Sequence, residues 1–261
     1  MNRKERLAHL IKAIKMEAVN VDNLSEKFGV SASTIRRDLQ FLQQHGHIQR
    51  TYGGAVLNHA APEMSYVERM EHYGVNKQAI AAIANELIRD GDTIMLDAGS
   101  SICALGHLLV ERKLHIITNN LMLVPILQGA PHLDLIILGG KCRNTSMSIF
   151  GALALKNLEH LTADIVFTSA DGVVAGRGLC EASLDQIVLK DAMMRRAAKT
   201  VVLADSHKIN RAEQHCWADF PAHWTLISDS GMSQKDKSRF EEQNVKVMLA
   251  DVPKNDGGSH Y

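Results

Sequence analysis

The chain has 261 residues, 46% hydrophobic and 22% charged, which allows a sizeable buried core and excludes a chain disordered by composition. Lys plus Arg and Asp plus Glu balance at 29 each, so the total charge points to no partner. Four cysteines without close pairs (Cys103, Cys142, Cys180, Cys216) exclude a zinc or redox motif, and no signal-peptide stretch or run near the ~20 apolar residues of a membrane span occurs, so reduced thiols and a soluble, cytoplasmic protein are expected.

Leu7, Leu10, Ile11 and Ile14 recur at helical spacing, which predicts an amphipathic helix over the first fifteen residues with Arg3, Lys4, Lys12 and Lys15 outward. Asp22 is expected to cap a short helix with Leu24 and Phe28 on its apolar side, and Gly29 supplies the turn after it. Ser31 then opens a longer helix from about Ala32 to His45. Its residues Ile35, Leu39 and Leu42 form one apolar stripe, leaving Ser33, Arg36, Arg37, Gln40 and Gln44 to face out.

The small Ser25, the turn at Gly29 and the buried Ile35 follow the spacing of a helix-turn-helix. In that arrangement the second helix enters the major groove with its N-terminal residues nearest the base edges. Ser31, Ser33, Thr34, Arg36, Arg37 and Gln40 are therefore the candidate DNA contacts, the arginines suited to guanine edges or phosphates. The segment HIQRTYGGAVL, with Gly53-Gly54, reads as a two-stranded wing on which Arg50 would clamp the DNA backbone. Residues 1–57 hold nine Lys/Arg against five Asp/Glu, a net +4, so the rest carries −4. A basic head on an acidic body fits nucleic-acid binding at one end. A winged helix used for protein contacts, with both arginines merely solvated, is the alternative.

TIRRDLQFL followed by HGHIQRTYGGAV resembles the N-terminal signature of DeoR-type bacterial transcriptional regulators. Thr34, Ile35, Arg36, Arg37, Asp38, Leu39, Arg50, Gly53, Gly54 and Ala55 match that signature as they stand.

Residues 58–75, which contain Pro62, are expected to be a linker with some helical tendency. Ile80, Ile83, Ala84 and Leu87 then predict a helix over Lys77 to Ile88. Beyond it the strand-like runs TIMLD, HIITNN, LDLIILGG, DIVFTSADG and TVVLADS alternate with segments of helical character. The fold class expected is α/β: a small winged helix-turn-helix domain (1–57) plus a larger α/β domain with a largely parallel sheet (76–252). A mobile tail is expected over 253–261.

These runs finish in small polar residues, and in parallel α/β sheets ligands bind outside the carboxyl ends of the strands. Asp97-Ala98-Gly99-Ser100-Ser101, before a helix from about Ile102 to Val110, would make an anion cradle of free N–H groups, hydroxyls and the positive dipole end. Lys77 and Lys208 could supply charge for a phosphate. Each feature alone also fits an ordinary cap, turn or solvated lysine; their repetition after successive strands favours a polar crevice.

The body is also similar to the C-terminal sensor domain of DeoR-type regulators, itself similar in fold to ribose-5-phosphate isomerase. That resemblance implies a phosphorylated sugar as ligand. It puts the phosphate loop at Asp97-Ala98-Gly99-Ser100-Ser101, a Thr-Asn pair at Thr118-Asn119, and an Asp-Ser-Ser-Lys motif at Asp205-Ser206-His207-Lys208. Gly139-Gly140, Arg143 and Gly151 follow its pattern too, and Asp171 and Glu181 complete the candidate set. His207 and Ile209 vary the last motif, and Glu181-Ala182-Ser183 stands where the family often has an Asn-rich stretch.

Isomerase chemistry needs a general base and acid at the carbons exchanging a proton. The paired aspartates of the isomerase pattern are reduced here to Asp171 within Thr168-Ser169-Ala170-Asp171, no Lys-Gly follows, and nothing marks out Glu181 or Asp185 as a base. No enzyme activity, cofactor or metal is therefore expected. The resemblance implies a homo-oligomeric repressor, dimer or tetramer, that binds operator DNA and is released by a phosphorylated sugar. An activator, or an isomerase fused to a DNA reader, is the alternative.

Overall fold

The computed structural model describes residues 3–16, 19–44, 48–51, 54–57 and 66–252. The chain divides into two compact units after residue 63. His45, Gly46, Gly53, Pro62 and the tail 253–261 lie outside the described residues, as do the side chains of Arg3, Lys4, Ile11, Lys12, Lys15, Gln44 and Arg50.

The first unit contains α1 (Arg3–Met16), β1 (Val19–Asn20), α2 (Val21–Phe28), α3 (Ala32–Gln44), β2 (Ile48–Thr51) and β3 (Gly54–Leu57). Leu10 and Ile14 of α1, Val21 and Leu24 of α2, Ile35, Leu39 and Leu42 of α3, and Ile48 form one buried cluster. The apolar stripes that predict the three helices are thus the surfaces that pack them together. The strands pair antiparallel in the order β1-β3-β2, with Arg50 opposite Ala55 and Val19 also opposite Ala55 on the other side. Sequence pattern cannot reveal a two-residue strand such as β1, because its pairing partner alone defines it.

Asn20, not Asp22, caps α2. Asn20 has extended backbone and its Oδ1 accepts the Asp22 N–H at 2.6 Å, so Asp22 falls in the first turn, where a carboxylate complements the dipole. Gly29 ends α2 with φ 62°, the left-handed geometry the turn requires.

The second unit opens with α4 (Tyr66–Glu71) and α5 (Gly74–Glu86), so helix occupies much of the expected linker and α5 begins three residues before Lys77. There follow β4 (Thr93–Leu96), α6 (Ser100–His107), β5 (Leu114–Thr118), α7 (Val124–Leu127) and β6 (Leu133–Ile137). Next come β7 (Lys141–Arg143), β8 (Ser148–Phe150), α8 (Ala152–Leu158), β9 (Ala163–Thr168), β10 (Gly172–Val174) and β11 (Gly178–Glu181). The unit finishes with α9 (Leu184–Arg195), β12 (Ala197–Leu203), β13 (Cys216–Ala218), β14 (Trp224–Asp229), α10 (Gln234–Glu241) and β15 (Lys246–Ala250).

Seven strands form one sheet in the order β15-β14-β12-β9-β4-β5-β6, and every neighbouring pair is parallel. All five predicted runs are in it; β14 and β15 add to them. Successive residues face opposite sides, so Ile94 and Leu96 of β4 join the cluster built with α5 and α6, while Met95 joins the cluster built with α8, α9 and α10. Both faces are covered, as an all-parallel sheet requires. From β4 the chain proceeds to β5 on one side, and later places β9 on the other. This is the topological switch point, and the carboxyl end of β4 is where a crevice is expected. A three-stranded antiparallel sheet, β10-β11-β13, and the hairpin β7-β8 lie outside the main sheet.

Candidate DNA-reading face and effector cleft

Ser33, Arg36, Arg37 and Gln40 are exposed along one side of α3, at the helical spacing opposite the buried Ile35, Leu39 and Leu42. The Ser31 Oγ accepts the Thr34 N–H at 3.2 Å and lies within hydrogen-bond distance of the Ser33 and Thr34 hydroxyls. Ser31 is therefore the cap that sets where the reading helix starts. Asp38, which sequence reasoning left without a role, is buried and accepts from Arg6 Nε at 2.6 Å, tying α1 to α3. Arg50 sits in the middle of β2.

In the second unit the loops after β4, β9 and β12 converge with the α4–α5 turn on a small cleft of about 50 Å3. Among the predicted ligand residues, Lys77, Ser100, Asp171, Asp205 and Lys208 line it. The sequence reading missed Arg69, His72, Tyr73 and Arg211, and took His207 only as a departure from a motif; all five line the cleft too. Gly99 holds φ 140°, a conformation L side chains rarely adopt, and a Cβ there would fall 2.3 Å from Ser169 Oγ, so a larger residue would strain the loop and displace the serine hydroxyl. The helix starts at Ser100 rather than Ile102, which puts Ser100 and Ser101 in the first turn, where backbone N–H groups have no intrahelical acceptor.

The loop after β12 is fixed from beneath. Asp229 accepts from the Ser206 N–H at 2.7 Å, the Ser206 hydroxyl at 3.0 Å and the Gly231 N–H at 2.9 Å. Asp205 is 2% exposed, yet its Oδ1 has no hydrogen-bond partner among the described residues; His207 Nδ1 lies 3.7 Å away. The Asp171 Oδ2 is likewise buried and without a hydrogen bond. Lys77 is buried and its ammonium donates to the carbonyls of Arg69 and His72. Burial, reinforced by the charge of Lys208, pushes its pKa down to about 8. The Tyr73 ring, whose backbone has φ 56°, stacks on His207 at 3.8 Å between centroids.

Beneath the cleft is a buried ionic network. Asp97 pairs through Oδ2 with Lys190 and accepts from Thr168 Oγ1 at 2.6 Å, and its Oδ1 accepts from Asn119 Nδ2 at 3.2 Å and the Ala98 N–H at 2.7 Å. Lys190 Nζ also reaches Glu181 Oε1 at 3.3 Å, Thr168 Oγ1 at 3.0 Å and the Ser169 carbonyl. Burial, with repulsion from Asp171, raises the Glu181 pKa despite Lys190. Burial works against the charge on Lys190, but Asp97 and Glu181 outweigh it and the pKa is raised. Thr118 Oγ1 donates to the Leu96 carbonyl at 2.6 Å and accepts the Asn120 N–H at 3.0 Å, holding the end of β5 to β4.

Ala98, Gly99 and Ser101 belong to the loop and first helical turn beside the cleft without lining it, and the other predicted ligand residues fall into three groups. Five line the cleft around the Gly99 turn. Asp97, Thr118, Asn119 and Glu181 lie in or beside the network beneath it, where Asp97 is occupied on both oxygens. Gly139, Gly140 and Arg143 do not line the cleft: Gly140 packs against the Phe150 carbonyl, and Arg143 donates to Thr145, whose carbonyl accepts from Arg69. The missed Lys190 had a signal. It lies three residues from the buried Ile187 and from the buried Met193, a lysine within the apolar stripe of a helix. The cleft offers Arg69, Lys77, Lys208 and Arg211 against Asp171 and Asp205, together with a helix N-terminus. That set can hold an anion at one end and hydrogen-bond donors at the other.

Residues 3–61 match the DeoR-like helix-turn-helix domain, and residues 74–230 match the DeoR C terminal sensor domain. Fold and sites together define a DNA-binding transcriptional regulator that carries its own sensor domain. An uncharacterized HTH-type transcriptional regulator of Bacillus subtilis, YulB, is 30% identical over 252 residues, covering 96% of this chain and 98% of its own. A putative aga operon transcriptional repressor of Escherichia coli O157:H7 is 30% identical over 250 residues, 94% of this chain and 93% of its own. A lactose phosphotransferase system repressor of Lactococcus lactis is 29% identical over 257 residues, 96% and 100%. The chain belongs to the DeoR family of transcriptional regulators, and is a regulator rather than an enzyme.

Ribose 5-phosphate isomerase A of Methanocaldococcus jannaschii is similar over 51% of this chain and 53% of its own, at 20% identity and a TM-score of 0.38. The chain spans about half the length of that solved chain, and a likeness at this level says nothing of activity. Among the described residues no helix is long and apolar enough to cross a membrane.

Proposed function

We propose that the protein is a cytoplasmic repressor of carbohydrate-metabolism genes, released from its operator by a phosphorylated sugar. The observation that carries the reading is the cleft at the switch point, where four cationic side chains meet the N-terminus of α6 and two carboxylates have oxygens without hydrogen bonds. A phosphate answers the first set and sugar hydroxyls the second. The relatives named for the aga operon and the lactose phosphotransferase system support a carbohydrate effector.

Ser33, Arg36, Arg37 and Gln40 read the major groove, Thr34 and Ser31 set the helix start, and Arg50 holds the backbone beside it. A homo-oligomer presents two reading helices to repeated half-sites. The outer edge of β6 and its exposed Ile136 (39%) and Ile137 (40%), near Leu153 (57%) of α8, suit contact with a second copy, since an open sheet edge invites pairing. Release requires the effector to favour the DNA-incompetent arrangement by only ~1–3 kcal/mol; equal affinity for both would do nothing.

The test is fluorescence anisotropy of the protein on DNA from its own upstream region, titrated with sugar phosphates and their unphosphorylated parents. Release by a phosphorylated compound alone is expected. Tight DNA binding that no sugar phosphate disturbs would refute the effector class and leave the DNA reader standing.

A further inference from the structure

We propose that the α4–α5 turn is a built-in competitor of the effector, holding the anion site shut until a ligand takes Lys77 from it. This rests on the effector reading above and adds how that site is regulated. The cleft measures about 50 Å3, well below the ~300–1,000 Å3 usual for a small-molecule site.

What closes the cleft is the protein itself. The carbonyls of Arg69 and His72, at the C-terminal end of α4, hold the Lys77 ammonium. Such terminal carbonyls lack intrahelical donors and carry partial negative charge, so they give Lys77 what phosphate oxygens would. Tyr73, in the same turn, lays its ring on His207 at 3.8 Å and 20°. It does so with φ 56°, a left-handed backbone that an aromatic residue adopts only against steric strain. The stack and the Lys77 bonds offset that strain.

In the shut cleft the Asp205 Oδ1, 2% exposed as a residue, and the Asp171 Oδ2 have no hydrogen-bond donor among the described residues. A second cavity of about 450 Å3, bordered by Met70, Gly74 and Leu108, shares Lys77 and Ser100 with the first. Drawing the Lys77 side chain away from the turn therefore shifts a wall common to both cavities.

The experiment uses the full chain and Tyr73→Ala, which removes the ring while keeping a Cβ and with it the same left-handed strain. Ribose 5-phosphate and inorganic phosphate are the probes, followed by calorimetry, with amide hydrogen exchange over residues 66–77 in parallel. Tyr73→Ala should bind the probes about fivefold more tightly, the worth of one lost aromatic stack. In the wild-type chain, saturating probe should speed exchange across the turn. Equal or weaker binding by the variant overturns the proposal and leaves the anion site intact. So does slower exchange on binding, which would make the turn a lid that closes over its ligand; that measurement needs no variant. Binding of neither probe by either protein at millimolar concentration refutes the anion site, and the proposal with it.

Discussion

Replacing Lys190 with Met removes the cation on which the sensor's ligand end is assembled. The ammonium, on a side chain only 3% exposed, pairs with Asp97 and with Glu181 at 3.3 Å, and it bonds Thr168 Oγ1 and the Ser169 carbonyl. Methionine fills similar space but leaves the buried Asp97 carboxylate without its counter-charge and Glu181 without its ionic partner. Removing one partner of a buried pair costs about 3–5 kcal/mol, a large part of the ~5–15 kcal/mol that holds a domain folded. The loss depends on pH. Burial already raises the Glu181 pKa, and Lys190 pulls against that rise, so without Lys190 it climbs further. A carboxyl raised in the folded state contributes stability that is present below its unfolded pKa and lost as pH rises through the folded value. In the wild type that value is already about 8, so the two proteins lose this contribution in parallel up to about pH 8 and the variant's deficit should grow above it. Trp217 and Trp224, the only two tryptophans, both lie in the second unit, so their fluorescence during urea unfolding reports on it without interference from the head. Adding Asp97→Asn to Lys190→Met should restore part of the loss. A deficit under about 1 kcal/mol, or one that shrinks as pH rises, would refute the account of the network as a mutually dependent ionic core.

Arg37→Ala should weaken operator binding roughly 10- to 100-fold, the worth of one good base contact, and leave probe binding to the sensor unchanged; anisotropy on operator DNA measures it, and unaltered affinity would displace α3 as the reading helix. Lys208→Ala should abolish induction while preserving DNA binding, and a normal response to effector would remove Lys208 from the anion site. Gly99→Val should do the same through geometry, because φ 140° and the 2.3 Å approach to Ser169 leave no room for a side chain. Asn20→Ala should destabilise the first unit by about 1 kcal/mol, read as a lower midpoint in its urea transition by circular dichroism.

Much of the fold was legible because its signals are local. The stripe of Ile35, Leu39 and Leu42, the cap at Ser31 and the turn at Gly29 each depend on a few neighbouring residues, and together they define the helix-turn-helix. The five runs from TIMLD to TVVLADS declared a parallel sheet because strands covered on both faces read as continuous apolar segments. Their small polar endings pointed to the crevice, and Lys77, Ser100, Asp171, Asp205 and Lys208 do meet there. The spacing also misjudged details. Asp22 and Asn20 are both good caps, and only the pairing of Val19 and Asn20 with β3 leaves Asn20 extended in the capping position.

The amino-acid pattern by itself determined the two-unit α/β architecture, the outward basic face of α3 and the small polar strand ends, since caps, periodicity and glycine turns act over a few residues. Tertiary structure alone decided what those ends are for one another. Lys190 is 93 residues from Asp97 in the chain and becomes its ion-pair partner only when α9 packs on the sheet. Tyr73 meets His207 only when the α4–α5 turn lies across the loop after β12. Contacts between residues so far apart carry no local signature, because nothing in either segment records what the other will bring to it.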